Sequence, residues 1–411
     1  MDVLIVGGGF GGLEVARSLD EKAQVTIVST DNFLLFSPML AEVAAGDIDP
    51  RHILTPIRHY VPRARFIQGE AVDIDPDQKT VRVAPGFDTP EIELSADALV
   101  LSLGSVPADF GIPGVGEHTI GFKNIGDALQ IRNRALALLE AASTHPDPNM
   151  TRFAIIGAGY SGVELAGSLA DMLEEASTRF YPTAPLPKVI LIDAADRVAP
   201  TLRPSLGAAA ERALVERGVE VHLGRAVKSI DSSGVHLADG DHVAANTAVW
   251  AAGVRPNPLM AEIGLPVNEK GRLVVDGNLR AAPGVFGVGD CAAVPDGSGD
   301  ISPPTGQFAI REGRYLGRNL PGLLAGRAYA PFHYRTLGEL VALGHRNAVG
   351  QVLGVPVSGF PAWVIWRSYY LNRLPGIQRK ARVGMDWMAD LLFPQDVAWL
   401  PSSELGPPLG G

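Results

Sequence analysis

Cysteine is nearly absent. The 411 residues hold one, Cys291, which excludes a disulfide framework and fits a reducing compartment. Long apolar runs are missing: no stretch reaches the roughly 18–20 residues of a membrane-spanning helix. Positive charge is in deficit. The formal net charge is −10 and no basic tail offsets it, which argues against a nucleic-acid partner. None of the nine histidines pairs with a glutamate at i, i+4 spacing, so a structural role is the expectation for each and no metal is expected. The apolar run opening at Val3 leaves no room for a signal peptide before it, and the expectation is a cytoplasmic protein, soluble or peripheral. Glycine is plentiful. There are 47, with 46% hydrophobic residues, which suits α/β domains rich in tight turns. At this length two or three domains are expected.

Two glycine-rich turns, 150 positions apart, carry most of the information. Gly7-Gly8-Gly9-Phe10-Gly11-Gly12 follows the apolar run 3–6. Gly157-Ala158-Gly159-Tyr160-Ser161-Gly162 follows 153–156. Each reads G-x-G-x-x-G between a buried strand and a helix. The first glycine allows a tight turn, the second lets backbone approach a pyrophosphate, and the third lets helix pack on strand. The helix N-terminus then faces the phosphates. One such match is weak; two in strand–turn–helix context point to two dinucleotides with electrons passing between them. After the first turn the next strand ends in Ser29-Thr30-Asp31-Asn32, without the strict acid, leaving Ser29 or Asp31 for the ribose. After the second it ends in Asp193. A carboxylate there accepts from the ribose 2′-OH and repels a 2′-phosphate, favouring NADH over NADPH, although Arg197 could soften that preference.

Residues 65–68, 70–75 and 80–83 read as a small antiparallel meander, 98–103 as a buried strand and 127–142 as an amphipathic helix. Strand candidates at 218–222, 226–230, 235–237 and 248–250 complete a second α/β unit, a duplication of architecture. The last 75 residues differ, holding four of the five tryptophans. Between Phe360 and Phe393 five basic residues stand against two acidic ones. Two helical stretches, broken at Pro375-Gly376, carry Trp363, Trp366, Tyr369 and Tyr370, then Val383, Trp387, Leu391 and Leu392. Aromatic and apolar faces edged with Arg and Lys suit an interfacial helix pair. The alternatives are docking on the body or a dimer interface.

The chain resembles the type II NADH:quinone oxidoreductases, within the two-dinucleotide-domain flavoprotein fold of glutathione reductase. The resemblance covers essentially the whole chain. It is carried by Val6 through Leu13, by Asn32-Phe33 with Pro38-Met39-Leu40, and by 101–104. It continues through Gly157 to Ala166, 251–254, Gly287-Val288-Gly289-Asp290, and Ala362-Trp363 with Trp366-Arg367. It implies an α/β fold of two Rossmann-like dinucleotide-binding domains plus a C-terminal helical membrane-associating segment. The implied division is 1–116 and 254–335 for FAD, 117–253 for NADH, and 336–411 for a C-terminal domain with amphipathic helices. The implied FAD ligands are Gly7, Gly9, Phe10, Gly11, Gly12, Ser29, Thr30, Asn32, Pro38, Val72, Ser102, Gly104, Asp290, Gln307 and Phe308. Those for NADH are Gly157, Gly159, Tyr160, Ser161, Glu164, Asp193, Ala252 and Gly253. Glu164 and Gln307 are implied at the reaction itself.

Hydride transfer from nicotinamide to flavin needs stacking and orientation more than acid–base groups, so no triad or metal is demanded. Disulfide reductases of this fold need a cysteine pair early in the chain, and 36–46 has none; a lone Cys291 reads as a buried packing residue. Electrons must therefore leave for an external acceptor. The family's motif Ala-Gln-x-Ala-x-Gln is here Gly306-Gln307-Phe308-Ala309-Ile310-Arg311, so Arg311 replaces the glutamine expected at the quinone; it is a candidate to stabilise negative charge on reduced flavin or acceptor at the reaction, the alternative being an arginine turned outward from its helix. The implied partners are a quinone or other small acceptor and, through the tail, the inner face of the cell membrane, with a homodimer left open. Two alternatives stand beside this reading: a soluble NAD(P)H reductase with a non-quinone acceptor, and a redox-dependent interaction protein resembling apoptosis-inducing factor.

Overall fold

The computed structural model describes residues 1–19, 22–86, 88–336 and 338–399. They fall into two compact units. The first comprises 1–35, 54–106 and 254–336; the second comprises 36–53, 107–253 and the described part of 337–411. The tail and the segment 36–53 thus pack with 107–253.

The first unit is built on a six-stranded sheet in the order Arg280–Ala282, Val285–Gly287, Ala98–Leu101, Asp2–Val6, Gln24–Ser29, Arg65–Gln68. All neighbours are parallel except the antiparallel edge pair Arg280–Ala282 and Val285–Gly287. Val3 to Val6 are each at most 1% exposed, because a parallel strand covered on both faces must be apolar throughout. Arg65–Gln68 is not part of the meander that the sequence suggests. It extends the parallel sheet beside Gln24–Ser29, and the meander is Glu70–Asp75, Thr80–Ala84 and Ile92–Ser95. A four-residue run with one buried face does not encode its pairing partner. The helix Phe10–Leu19 packs against Gly306–Leu324. Gly313 and Gly317, one turn apart, permit that approach: a Cβ on either would strike the backbone of Gly11 or Val15.

The second unit has a five-stranded parallel sheet, ordered Thr119–Gly121, Thr247–Trp250, Arg152–Ile156, Lys188–Ile192, Glu220–His222. The helix Ile125–Thr144 starts at a reciprocal cap, in which the Asn124 side chain accepts from Asp127 N and the Asp127 carboxylate accepts from Asn124 N. An antiparallel meander follows: Val227–Asp231, Gly234–Leu237 and His242–Ala244. The tail forms a three-stranded sheet, Gly338–Ala342, Ala348–Val352 and Val355–Ser358, then helices Gly359–Arg373 and Ile377–Leu392.

The tail tryptophans do not make the outward face that the sequence suggests. Trp363, Trp366 and Trp387 are buried. Val364, Ile365, Ile377, Met385, Met388, Leu391 and Leu392 are exposed instead. Trp366 and Trp387 turn their N–H donors inward to carboxylates, and Trp363 stacks on Arg367. No helix among the described residues is long and apolar enough to cross a membrane.

Candidate functional site

Each unit carries one glycine turn, and the two have the same construction. In the first, Gly7 adopts φ +111°, and its N–H donates to Val28 O at 2.8 Å. A Cβ on Gly7 would run into the Ser102 carbonyl, and one on Gly12 into the Gly7 carbonyl and the Ser102 hydroxyl. A Cβ on Gly9 would meet nothing within 4 Å. In the second, Gly157 adopts φ +112° and donates to Ile192 O at 2.8 Å. Gly157 is hemmed by Ala251 and Gly162 by Gly157, while Gly159 faces open space. In both, the outer glycines are required by packing, and the middle one leaves a cradle at a helix N-terminus. That cradle suits a pyrophosphate, which brings negative charge to unsatisfied N–H groups.

Around the first turn, Ser102 is buried, and its hydroxyl donates to Gly7 O at 2.8 Å and Val6 O at 3.2 Å, so it braces the turn. The Phe10 ring lies against Gly306, and Gly11 is close to Val288. Ser29 is half-buried beside Gly8; Thr30 and Asn32 are exposed. Val72 is the extra residue of a bulge between the pairs Ala71–Val83 and Asp73–Arg82. Gly104 adopts φ +66°. Asp290 accepts from Ser105 Oγ at 2.7 Å, which fixes its carboxylate. Pro38 belongs to the second unit, in the turn Ser37–Met39. Cys291 is fully buried, and burial pushes its thiol up to about 12, as suits a packing residue.

Gln307 and Arg311, one turn apart on one helix, share Tyr334. Gln307 Oε1 accepts from Tyr334 Oη at 3.0 Å and Thr336 Oγ1 at 2.9 Å. Phe308 meets the same ring edge-on at 5.0 Å. The Arg311 guanidinium lies 4.2 Å from the Tyr334 ring centre and donates to Gln307 O at 3.1 Å. Arg311 is therefore not an outward-turned arginine; stacking holds its charge beside Gln307. Neither Tyr334 nor Thr336 carries a sequence signal, because each joins the site only when its segment crosses the helix. Glu312 was equally hidden. It is buried, accepts from Gly289 N at 2.7 Å, and burial pushes it up to about 7.

In the second unit, both Asp193 oxygens are engaged: Oδ1 accepts from Ala195 N at 2.7 Å and Oδ2 from Ala158 N. The carboxylate ties the strand end to the glycine turn and keeps lone pairs for a ribose hydroxyl. Tyr160 Oη accepts from Thr201 Oγ1 at 2.9 Å, and Ser161 is exposed. Ala252 is half-buried, and Gly253 is exposed with φ +129°. Glu164 is not a solvated helix residue. Its Oε1 accepts from Ala342 N at 3.1 Å and Trp366 Nε1 at 3.3 Å, and loss of solvent pushes the carboxyl up to about 8.

A buried carboxyl fixes the tail. Glu42, in the helix Leu40–Ala45, accepts from Arg367 Nη2 at 3.2 Å and Trp387 Nε1 at 3.1 Å. The Arg367 guanidinium sits between Trp363 and Trp387, 4.0 and 4.5 Å from their ring centres. Beside it, His345 Nε2 lies 3.3 Å from Asp47 and 3.8 Å from Asp390, and the Asp47 carboxylate pulls the imidazole up to about 9. The signal for this cluster was one acidic residue, Glu42, inside an otherwise apolar helix; a buried charge needs partners. The partners come from over 320 positions away.

Comparison with known proteins gives a consistent result. The pyridine nucleotide-disulphide oxidoreductase family model matches residues 1–313. A type II NADH:quinone oxidoreductase of Mycobacterium tuberculosis is 32% identical over 95% of this chain and 88% of that protein. A probable NADH dehydrogenase of Dictyostelium discoideum is 30% identical over 96% and 90%. Among solved structures, an NDH2 from Plasmodium falciparum in complex with NADH superposes with a TM-score of 0.90 at 18% identity, covering 97% of this chain and 99% of that one.

Proposed function

Since the chain belongs to the type II NADH:quinone oxidoreductases, within the pyridine nucleotide-disulphide oxidoreductase family, we propose that it oxidises NADH through FAD and reduces a quinone at a membrane surface. One observation carries the reading: two glycine turns of the same construction, one in each unit, each with an open middle glycine. FAD, when bound, supplies a ring that accepts hydride and passes electrons on. The chain's residues bind and orient. Gly7, Gly9 and Gly12 shape the FAD cradle, with Ser102 bracing it, and Asp290, held by Ser105, receives the ribityl chain. Gly157, Gly159 and Gly162 shape the NADH cradle, and Asp193 holds the adenosine ribose. Glu164 lies on the nicotinamide side. Gln307 and Arg311, aligned by Tyr334, border the acceptor, where a cation favours the negative charge that develops on reduction.

The exposed aliphatic face of the last helix, Ile377, Met385, Met388 and Leu392 flanked by Arg379, Lys380 and Arg382, is the membrane contact in this reading. Steady-state NADH oxidation by the flavin-loaded protein with menaquinone and ubiquinone analogues tests the activity. Fast turnover supports it; negligible turnover with both defeats the quinone. Met388→Glu with Leu392→Glu should abolish sedimentation with anionic vesicles while NADH oxidation in solution persists. Equal sedimentation would defeat the membrane contact.

A further inference from the structure

The meander of the second unit holds a cluster that the NADH chemistry does not use. Ile230, Val235 and Val243 point into the unit's core beside Ile156, Ile192 and Trp250. Strand alternation therefore sends Asp231, His236 and His242 to the opposite face. His236 and His242 are direct cross-strand partners. The neighbouring pair is bonded, Leu237 N donating to Asp241 O at 2.9 Å, so the histidines occupy a non-hydrogen-bonded pair, where side chains stand closest. Their rings lie 4.6 Å apart. Asp231 is diagonal to His236 on the same face and reaches its Nε2 at 2.7 Å. The second carboxylate oxygen is fixed by Ser233, which donates from N at 2.8 Å and from Oγ at 2.6 Å. Ser233 Oγ also lies 3.1 Å from His242 Nε2.

We propose that Asp231, His236 and His242 form a binding site for a late first-row divalent cation such as Zn2+. One ligand atom from each residue lies within 4.8 Å of the other two. Around a tetrahedral zinc, with bonds of about 2.0–2.2 Å, ligand atoms stand about 3.3–3.5 Å apart, so small χ adjustments close the site. The His236–Asp231 hydrogen bond gives way to two metal bonds, and water takes the fourth position. Two imidazoles and one carboxylate select zinc, nickel or copper; calcium and magnesium prefer all-oxygen shells. The spacing His236 to His242 does not reveal the site in the sequence, because it is the hairpin register that joins them.

An ion there would clamp all three strands and stabilise the second unit. The test uses full-length, FAD-loaded protein freed of metal by chelator. Zn2+ is titrated with an indicator competitor while the unfolding temperature is followed. One equivalent should bind and raise Tm, and Mg2+ should do neither. His236→Ala with His242→Ala should weaken binding by at least about a hundredfold and remove the Tm rise. Asp231→Asn should weaken it less. Unchanged NADH oxidation without metal in these variants would show that they are folded. Zinc binding of undiminished affinity in the double variant, or no saturable binding in the wild type, overturns the proposal.

Discussion

Gly9→Val separates packing from binding within a single turn. Gly9 and Gly12 stand three residues apart but differ in their surroundings. A Cβ on Gly12 collides with the Gly7 carbonyl and the Ser102 hydroxyl, whereas at Gly9 nothing lies within 4 Å and φ is not positive. Gly12→Ala is thus an overpacking change that costs about 1–3 kcal/mol of stability, or more because backbone must move. Gly9→Val should leave flavin-free stability within about 0.5 kcal/mol. Its damage falls on whatever fills the cradle. Charge-assisted backbone bonds to a phosphate contribute about 1.5–3 kcal/mol each. Displacing the pyrophosphate by a side chain's width should break two, or about 3–6 kcal/mol, which is roughly a hundredfold to ten-thousandfold in FAD affinity. Flavin absorbance per chain after dialysis, with thermal unfolding against flavin-stripped wild type, reads both effects. Gly9→Val should be colourless yet folded, and Gly12→Ala should lose stability as well as flavin. Full flavin retention in Gly9→Val would refute the assignment of the cradle, and unfolding as severe as that of Gly12→Ala would refute the packing argument.

Asp193→Ser should narrow the NADH-to-NADPH ratio of kcat/KM by roughly 10-fold. Because Asp193 also accepts from Ala158 N and Ala195 N, it should lower Tm as well; an unchanged ratio places the 2′-OH elsewhere. Arg311→Gln should change quinone KM or kcat several-fold and leave flavin reduction by NADH nearly intact in stopped flow; slowing of the NADH half-reaction alone would move the acceptor away from Arg311. Glu164 gives a pH test. Its carboxyl rises from 4.5 to about 8 on folding, so the native state holds the proton across that window. Wild-type stability should fall as pH rises through it, by up to about 1.4 kcal/mol per unit. Glu164→Gln keeps an acceptor for Ala342 and Trp366 without titrating, so its Tm should fall less over the same range; parallel curves would reject the shift. Truncation near Pro356 should destabilise the second unit, because it removes Trp366 from Glu164 and both Arg367 and Trp387 from Glu42.

Local physics made much of this protein legible. Backbone sterics demand glycine at Gly7 and Gly157, and helix-on-strand packing demands it at Gly12 and Gly162, so both turns stand out in the sequence alone. The apolar runs at 3–6 and 153–156 mark strands buried on both faces, since nothing polar survives there. The break at Pro375-Gly376 divides the tail helices for equally local reasons. What depends on partners distant in the chain had no such trace. Arg65–Gln68 could not announce that it pairs with Gln24–Ser29 and not with the meander. By composition the tail tryptophans suit a membrane interface, yet the buried carboxyl of Glu42 and the half-buried one of Glu164 accept from the N–H groups of Trp387 and Trp366, which turn inward. Tyr334 aligns Gln307 with Arg311 only because its segment folds back across their helix. Where backbone must bend tightly, and which of these strands are buried, follows from local sterics and patterning. Tertiary structure decided which charges meet, because desolvation is relieved by whichever donor the fold brings within hydrogen-bonding distance, however far away it lies in the chain.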